Sequence, residues 1–580
     1  MPTSSLQPVR LGALAAATTL LVACGGGGDA PPQLAAATGA SFTGACAGLQ
    51  TALASLPNTQ ITLAETIAEG TLKQGGNAVA EHCRVTGKMH ERTSPVDGAT
   101  YAIGFEMRLP KAWNGRFLHQ GNGGTDGAVL TAAGALGGGP VTGALHQGFA
   151  VLSSDAGHSG GTAAFGIDPQ ARLDYGYQAV AKLTPMAKEA IKLAYGKGPD
   201  RSYFAGCSNG GRHGMVAATR YYADYDGVLA GAPGYNLPKA AVANLAGARL
   251  YQTVATTPVT NQIDLATAVT DTERQLLANR VVAKCDALDG ATDGMVQDVA
   301  ACQASFKLAD DVPTCSGARD GSCLSSAQKS VLSQIFSGPT TSKGDRIYAS
   351  FPYDGGFGGG RAGVPTGGSP VGSGVALWEF FISISRDAEA TGLIFGAPPQ
   401  NLATFNPLSF ALTTDIDALN ASMFATSGLY SESAMSFMTP PKPTQMHGLR
   451  NRGGKIMVYH GVSDAIFSVN DTETWFKGVQ TDTGYDFARF YRVPGMGHCS
   501  GGPATDQFDM LTPLVNWVEK GQAPAAITAS ARGAGNAGGV NSDLPAGWAA
   551  DRSRPLCPYP QVARYKGTGS LELASSFSCQ

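Results

Sequence analysis

Charged residues are scarce in this chain, and neither sign dominates. Lys, Arg, Asp and Glu make up 15% of the 580 residues and leave a net charge of −3, whereas an average globular protein carries about 25% charged residues. A chain of this composition lacks the excess of basic residues that is typical of nucleic-acid-binding proteins, so we expect no nucleic-acid partner. The 77 glycines instead indicate a loop-rich globular protein, and the length predicts a large domain with an insertion or a second domain.

The apolar stretch near the N-terminus, Leu11–Ala23, is too short to span a bilayer as a mature helix. It follows a single positive charge, Arg10, and is typical of an export signal. Cys24, which precedes Gly25, ends a sequence that resembles a bacterial lipobox; ordinary secretory cleavage is the alternative. We predict that residues 1–39 are an export signal and tether. The protein would then be secreted or a periplasmic or outer-membrane lipoprotein, with membrane contact only through a lipid on Cys24.

The cysteine count agrees with export. Eleven cysteines less Cys24 leave ten, an even number that is compatible with five disulfides in an oxidising compartment. Four pairings are predicted by proximity in the sequence: Cys46 with Cys83, Cys285 with Cys302, Cys315 with Cys323, and Cys557 with Cys579. The two cysteines that remain, Cys207 and Cys499, each adjoin a residue with predicted chemistry.

The segment Gly206–Gly210 fits the G-x-S-x-G nucleophile elbow, with Ser208 as the nucleophile. A serine on a strained strand-to-helix turn needs small neighbours on both sides, because a Cβ there would collide. An apolar run, 202–205, precedes the serine, and a helix-compatible run, 212–222, follows it. The alternative is a Gly-rich turn that holds an ordinary serine, and the rest of the chain must decide between the two.

A glycine cluster, His119–Gly127, directly follows a predicted strand upstream of the elbow. In α/β-hydrolases a loop at this point donates one N–H of the oxyanion hole, and the residue after the nucleophile donates another. Gly123 or Gly124 is the predicted loop donor, and Asn209 is the residue after the serine. Without the downstream elbow, this cluster would be interpreted as a flexible turn.

An acid and a histidine follow two later strands. The run 455–464 predicts a buried strand that leads into a turn ending at Asp464, and the strand 487–493 precedes His498. The chain order Ser, Asp, His is that of α/β-hydrolases, so Ser208, Asp464 and His498 form the predicted triad. His460 precedes the acid and is predicted to be structural or to line the substrate pocket.

Strands and helices alternate before about residue 235 and resume at Lys455. We predict an α/β-hydrolase fold with core segments 40–235 and 444–580, and an inserted lid domain, 236–443, between them. Asp286, Asp289 and Asp293 lie on one glycine-rich loop of this insertion, and hard oxygen ligands of this kind suit Ca²⁺. Two surface Asp-Gly turns are the alternative.

The motif Gly206–Gly211, taken with Gly497-His498-Cys499, resembles the tannase and feruloyl esterase family, and the resemblance extends over essentially the whole mature chain. It implies a disulfide between Cys207 and Cys499, which would hold the nucleophile next to the base. It also implies a structural calcium site. The implied calcium ligands are the carboxylates of Asp286, Asp289 and Asp293 and the carbonyls of Ala291 and Met295.

The resemblance implies esters of aromatic carboxylic acids as substrates: gallates, ferulates and, in one branch, the monoester of terephthalate. His460 and Phe467 match pocket positions of that branch, and Trp378 resembles an aromatic residue of the lid that covers the ring. The arginine that binds the free carboxylate in that branch has no matched position, although Arg386 is nearby in the sequence.

The sequence as a whole predicts a secreted or lipid-anchored serine carboxylic ester hydrolase that cleaves esters of aromatic acids through an acyl-enzyme. A non-catalytic binding protein on the same fold is one alternative, and a broken triad or elbow, its expected signature, is not seen. A lipase of broad specificity is another; it would carry an extended apolar lid surface rather than a Gly- and Ser-rich insertion with isolated aromatics.

Overall fold

A nine-stranded sheet forms the centre of the molecule. The computed structural model describes residues 31–135, 142–358 and 377–580. The strands of the sheet are β1 (Thr59–Ile67), β2 (His82–Thr93), β3 (Thr100–Pro110), β4 (Arg116–Gly121), β5 (Ala150–Ser154), β6 (Arg201–Cys207), β7 (Gly227–Gly231), β8 (Lys455–Gly461) and β9 (Ala488–Val493).

The spatial order of the strands is β9-β8-β7-β6-β4-β5-β3-β2-β1. The six strands from β9 to β5 run parallel to one another, whereas β3, β2 and β1 extend the sheet by antiparallel pairing. Strands β5, β7 and β8 are buried along their whole length, as expected of parallel strands that are covered on both faces.

Four helices cover the sheet: α1 (Ala179–Tyr195), α2 (Asn209–Arg220), α3 (Val469–Asp482) and α4 (Leu511–Lys520). Successive residues of a strand point to opposite faces, so Val228 of β7 packs in the core with α1, α2 and α3, whereas Leu229 packs in the core with α4. This three-layer arrangement is the α/β-hydrolase fold that the sequence predicts.

A large insertion separates β7 from β8. Within its described residues it contains helices and no strand of a sheet. The helices are Leu237–Gln252, Gln262–Ala266, Asp271–Cys285, Val299–Ser305, Leu308–Asp311, Ser326–Ser337, Arg386–Glu389, Pro407–Thr413, Ile416–Ser422 and Ala434–Phe437, with π-helical turns at Leu377–Ile382 and Ala390–Phe395. A hydrophobic cluster that runs from Val242 to Met423 consists of insertion residues alone. The insertion therefore packs around a core of its own.

Smaller strands and helices lie outside the main sheet and the insertion. A three-stranded sheet joins Gln507–Phe508, Ile527–Ser530 and Ser553–Leu556, and two-stranded pairs join Ala40–Ser41 to Ala112–Trp113, Lys73–Gln74 to Asn77–Ala78, and Ala563–Tyr565 to Phe577–Cys579. Short α-helices outside the insertion are Gly48–Ala52, Pro169–Leu173 and His447–Asn451. In the part of the chain that the structure describes, no helix is long and apolar enough to cross a membrane.

The described residues contain five disulfides, and all five predicted pairings are confirmed. They join Cys46 to Cys83, Cys207 to Cys499, Cys285 to Cys302, Cys315 to Cys323, and Cys557 to Cys579. The predicted export signal and Cys24 lie outside the described residues.

Candidate active site

The elbow at Ser208 joins β6 to α2. Ser208 has φ +65° and ψ −126°, a conformation that L-residues rarely adopt and that the surrounding structure must enforce. Its N–H donates to the carbonyl of Gly231 over 2.9 Å. A Cβ on Gly206 would lie 2.6 Å from the carbonyl oxygen of Gly121, and a Cβ on Gly210 would lie 2.2 Å from it. The two glycines of the motif are therefore required by the close approach of the end of β4.

The structure brings Ser208, His498 and Asp464 together across 290 residues of chain. His498 Nε2 lies 2.8 Å from Ser208 Oγ, and His498 Nδ1 lies 2.7 Å from Asp464 Oδ2. An ionised carboxylate only accepts hydrogen bonds, so Nδ1 carries the proton and Nε2 is free to accept from the serine hydroxyl. This is the arrangement that activates a serine for attack on a carbonyl.

The acid is buried and fully hydrogen-bonded. Asp464 Oδ1 accepts from the backbone N–H groups of Ile466 and Phe467 at 2.9 and 3.0 Å. Although burial alone would raise it, the pKa of Asp464 lies well below its ordinary value because of the His498 charge and the hydrogen bonds from His460 and His498. Asp464 therefore stays ionised and can stabilise an imidazolium on His498.

Of the two roles predicted for His460, structural or pocket-lining, the structure supports the structural one, and the side chain does not line the cavity beside Ser208. His460 is fully buried; its Nε2 donates to the carbonyl of Phe467 at 2.8 Å and lies 3.2 Å from Asp464 Oδ2, while its Nδ1 accepts from Thr472 Oγ1 at 2.9 Å. The side chain points toward helix α3, which carries Thr472, and not toward the ends of the strands. His460 therefore contacts the acid, Asp464, and helps to hold it in place.

Two ties hold the loops of the triad together. The Cys207–Cys499 disulfide, with Cα atoms 6.1 Å apart, joins the neighbour of Ser208 to the neighbour of His498. The second tie, not predicted from the sequence, is Asp354 of the insertion, whose Oδ2 accepts from Ser463 Oγ at 2.6 Å and from the N–H of Gly495 at 2.8 Å. Asp354 thus joins the loop of the acid to the loop of the histidine. No motif surrounds this residue, so the sequence carries no signal that would have identified it.

The predicted oxyanion-hole residues lie beside the serine. A Cβ on Gly123 would lie 3.8 Å from Ser208 Cβ, and Gly124 lines the same cavity as Ser208. Asn209 is the first residue of α2, and the first N–H groups of a helix have no partner within that helix. The glycine loop and the first turn of α2 therefore both adjoin the position where a carbonyl oxygen would lie.

A cavity of about 100 Å³ opens beside Ser208 and His498, comparable with apolar cavities of about 150 Å³ that bind benzene in other proteins. Both the core and the insertion contribute its apolar wall, which consists of Leu237, Ile382, Ala390, Phe395, Ile466 and Phe467. The ring of Phe467 meets that of His498 edge to face, with centroids 5.2 Å apart. This wall suits a flat apolar acyl group.

Arg386 supplies the cationic group of the cavity. A Cβ placed on Gly124 would lie 3.3 Å from Arg386 Nη1, so the guanidinium reaches the glycine loop. Among the described residues, no hydrogen bond or ion pair joins the guanidinium to another side chain. The adjacent Asp387 instead accepts from Asn244 Nδ2 at 2.7 Å, and burial raises its pKa to about 6. The predicted lid aromatic, Trp378, has a side chain outside the described residues.

The predicted calcium loop is compact and acidic. Asp286 Oδ1 accepts from the N–H groups of Asp293 and Met295, and Asp289 Oδ1 accepts from that of Ala291. Arg554 pairs with Asp293. Asp289 Oδ2 is buried without a hydrogen-bond partner, and burial, with the charges of Asp293 and Asp286, raises the pKa of Asp289 to about 7.

The three side chains of the loop do not form a preassembled metal site. In the described ranges, no group of three or more His, Cys, Asp or Glu side chains is arranged to hold a metal ion. The unpartnered oxygen of Asp289 is the observation that fits a bound cation, because an unpaired buried carboxylate is otherwise unfavourable.

Comparison with known proteins identifies the family. The family model for tannase and feruloyl esterase matches residues 83–580. Mono(2-hydroxyethyl) terephthalate hydrolase of Piscinibacter sakaiensis is 38% identical over 536 residues, which cover 87% of this chain and 85% of that protein. Probable feruloyl esterase B-1 of Neosartorya fischeri is 28% identical over 507 residues, 82% of each chain.

A solved structure shares the fold. The crystal structure of feruloyl esterase B from Aspergillus oryzae superposes with a TM-score of 0.70 at 24% identity, over 92% of this chain and 99% of that one. The family model covers most of the chain. The alignments with the two named relatives, both ester hydrolases, also cover most of each relative's own length. The chain therefore belongs to the tannase and feruloyl esterase family and is a carboxylic ester hydrolase.

Proposed function

We propose that this protein is an exported serine esterase that hydrolyses esters of aromatic acids, and that Ser208, His498 and Asp464 carry the reaction. The observation that supports this most directly is the chain of two hydrogen bonds, 2.8 and 2.7 Å long, from the serine through the histidine to the acid. A binding protein that had lost catalysis would have no reason to keep this alignment.

The reaction proceeds in two halves. Ser208 Oγ attacks the ester carbonyl carbon while its proton passes to His498 Nε2, and a tetrahedral intermediate forms whose oxyanion is stabilised by the N–H of Asn209 and that of Gly123 or Gly124. When the intermediate collapses, the bond from the carbonyl carbon to the alkoxy oxygen breaks. The alcohol leaves with the proton from His498, and the acyl group remains on Ser208.

Water completes the cycle. His498 takes a proton from water as the water oxygen attacks the acyl carbon, and a second tetrahedral intermediate forms in the same place. Its collapse releases the carboxylic acid and returns the proton to Ser208 Oγ. Asp464 keeps its negative charge throughout and stabilises the imidazolium that forms twice in each cycle.

The cavity supports the choice of substrate class. Its apolar wall accommodates an aromatic ring next to Ser208, and Arg386, whose guanidinium has no side-chain partner among the described residues, lines the same space. A guanidinium binds a carboxylate through two parallel hydrogen bonds. The preferred substrate we propose is therefore an aromatic diacid that carries one ester and one free carboxylate. The terephthalate monoester named for the 38% identical relative is such a compound.

Calcium binding and export complete the proposal. Asp286, Asp289 and Asp293, with the carbonyls of Ala291 and Met295, would hold a structural Ca²⁺ that neutralises the acidic loop and has no part in the reaction. Five disulfides support folding in an oxidising compartment. We propose that Cys24 is lipidated after cleavage, which mass spectrometry of the mature N-terminus would establish.

A substrate panel tests the function. Terephthalate monoester, ethyl ferulate, ethyl gallate and p-nitrophenyl butyrate are assayed side by side with the wild type and Ser208→Ala. We expect the first three esters to be cleaved faster than the butyrate, and Ser208→Ala to lower kcat by about 10⁴-fold or more, because one missing member disables the whole triad. Near-normal turnover by folded Ser208→Ala would refute the assignment, and a preference for the butyrate would contradict the substrate class.

A further inference from the structure

A buried carboxylate, Asp126, joins the two backbone segments that adjoin Ser208. It belongs to the glycine loop, and only 2% of its side chain is exposed. One of its oxygens, Oδ2, accepts from Asn209 Nδ2 at 2.7 Å and from His213 Nε2 at 2.9 Å. Both partners lie in the first two turns of α2. The catalytic steps described above do not use this carboxylate.

The backbone of Asp126 also shapes the glycine loop. Its N–H donates to the carbonyl of Gly123 at 3.2 Å, which closes the turn around Gly124. Its φ of +57° lies in the left-handed region that favours glycine. A non-glycine residue is kept in this conformation by contacts that it makes elsewhere, and the two hydrogen bonds to α2 are such contacts.

The partners on α2 are themselves held. Arg212, which is fully buried, donates from Nε to Asn209 Oδ1 at 2.7 Å and from Nη2 to His213 Nδ1 at 3.2 Å. Four side chains therefore form a closed ring: Asp126 to Asn209, to Arg212, to His213 and back to Asp126. The positive charge of Arg212 offsets the carboxylate within a region that excludes water.

We propose that Asp126 is a positioning residue, which clamps the glycine loop to the first turn of α2 so that the two oxyanion donors converge on one point. The proposal rests on the serine-esterase mechanism proposed above. The need for a clamp arises because the two oxyanion donors belong to different segments: one is an N–H of the glycine loop and the other is the N–H of Asn209. The hydrogen bond from Asn209 to Asp126 joins the glycine loop to the first residue of α2, and the bond from His213 joins the loop to the next turn of the same helix.

The size of the effect follows from the donors that the clamp aligns. Removing one oxyanion-hole donor lowers kcat by about 10²- to 10³-fold, and a misplacement of about 1 Å can have an effect of about 10²-fold. Loss of the clamp leaves both donors present but no longer held together. We therefore expect Asp126→Ala to lower kcat about 100-fold with little change in KM, since the donors stabilise the transition state more than the bound ester.

Asp126→Asn is the conservative variant. Both hydrogen bonds end on a single oxygen, and an amide oxygen also has two lone pairs with which to accept them. We expect Asp126→Asn to keep kcat within about tenfold of wild type. This result would assign the effect to hydrogen-bonded geometry rather than to the charge of the carboxylate.

Glu519→Ala is the matched control. Glu519 is a buried acid at the opposite end of the sheet, where it accepts from Arg116, Tyr203 and the N–H of Ala37. Its loss should lower stability as a buried hydrogen-bonded acid does, but kcat should stay within about twofold of wild type. Thermal unfolding of each variant shows that the rates come from folded protein.

A transition-state analogue gives the second readout. Phenylboronic acid accepts Ser208 Oγ on boron, with the serine proton passing to His498, and the tetrahedral adduct places a hydroxyl where the oxyanion would form. Affinity for phenylboronic acid should fall in Asp126→Ala in parallel with kcat/KM, while KM for the ester changes little. A purely structural role would lower only the fraction of folded, active protein, so the apparent kcat would fall while the KM and the boronic-acid affinity of the folded molecules stayed unchanged.

Asn209→Ala keeps the proposal testable if Asp126→Ala does not fold. It removes the same hydrogen bond but retains the backbone N–H, so kcat should fall about tenfold. If both variants fold, the double variant should be no slower than Asp126→Ala, because two changes to one contact are not additive. Wild-type kcat in folded Asp126→Ala or Asn209→Ala overturns the clamp, whereas activity in Ser208→Ala would overturn the mechanism on which it rests.

Discussion

Loss of the disulfide between Cys207 and Cys499 should affect stability and catalysis together. The bond closes a loop with a sequence separation of 292 residues, which contains the whole insertion. On the chain-entropy model, cross-linking a loop of this length stabilises the fold by about 5.7 kcal/mol through its effect on the unfolded chain. The disulfides nested inside it close loops of only 17 and 8 residues and shorten it little.

Catalysis should fall for a separate reason. Ser208 and Cys499 both have φ of +65°. The cross-link holds the Cα atoms of Cys207 and Cys499 6.1 Å apart and so joins the segments that carry these two strained residues. Without it, the 2.8 Å contact between Ser208 and His498 depends on packing and on Asp354. We expect kcat to fall about 100-fold in molecules that remain folded.

The chain offers a matched control. Cys315 and Cys323 close a loop of 8 residues far from the triad in the sequence, so the Cys315→Ala, Cys323→Ala variant should lose about 2.5 kcal/mol on the same model and keep its kcat. Urea denaturation followed by circular dichroism gives the stabilities, and steady-state kinetics on the terephthalate monoester give kcat. Equal stability losses in the two variants, or wild-type kcat in the Cys207→Ala, Cys499→Ala variant, would refute the reasoning.

Three further changes test other parts of the site. Chelation with EGTA should lower Tm by about 5 °C if a Ca²⁺ is bound only to the folded protein. The Asp289→Asn variant should show no such shift. Metal analysis that finds no calcium in the dialysed protein would contradict the calcium site. Arg386→Ala should raise KM for the terephthalate monoester about 10- to 100-fold, the effect of one charged hydrogen-bonded contact, and leave KM for ethyl ferulate unchanged; an equal rise for both esters would argue against carboxylate binding. Asp354→Ala should lower kcat about 10-fold or more by loosening the loops of the acid and base, whereas unchanged kcat in the folded variant would restrict Asp354 to a structural role.

The elements that the sequence predicted well are those with a local signal. The elbow combines glycines with a strand before it and a helix after it, and β6 and α2 lie there. The acid and the histidine were located because each directly follows a buried strand, β8 or β9. The order of the three residues then selected the α/β-hydrolase fold. In each case the decisive pattern lies within about ten residues, the range over which local periodicity is informative.

The features that the sequence did not predict depend on contacts between distant parts of the chain. Strands β1 and β2 were not predicted, because both are antiparallel and half-exposed and their polar residues, as in Thr59–Ile67, give no apolar run. The side-chain orientation of His460 could not be predicted either, because its strand is buried on both faces and not half-exposed. All seven residues of β8 are buried, so the sequence shows no alternation that would reveal which face His460 shares with Ile456 and Val458.

The insertion connects substrate binding to the alignment of the triad. Arg386, which we propose binds the free carboxylate, and Asp354, which joins the loops of Asp464 and His498, both belong to it. Displacement of the insertion would therefore move the substrate-binding group and loosen the acid and base loops at the same time. An insertion grafted onto this core should therefore retain an acceptor at the position of Asp354, which bonds to Ser463 and Gly495. A graft that supplies a new pocket without that acceptor should bind its ester and turn it over slowly, because binding and catalysis would no longer share one rigid support.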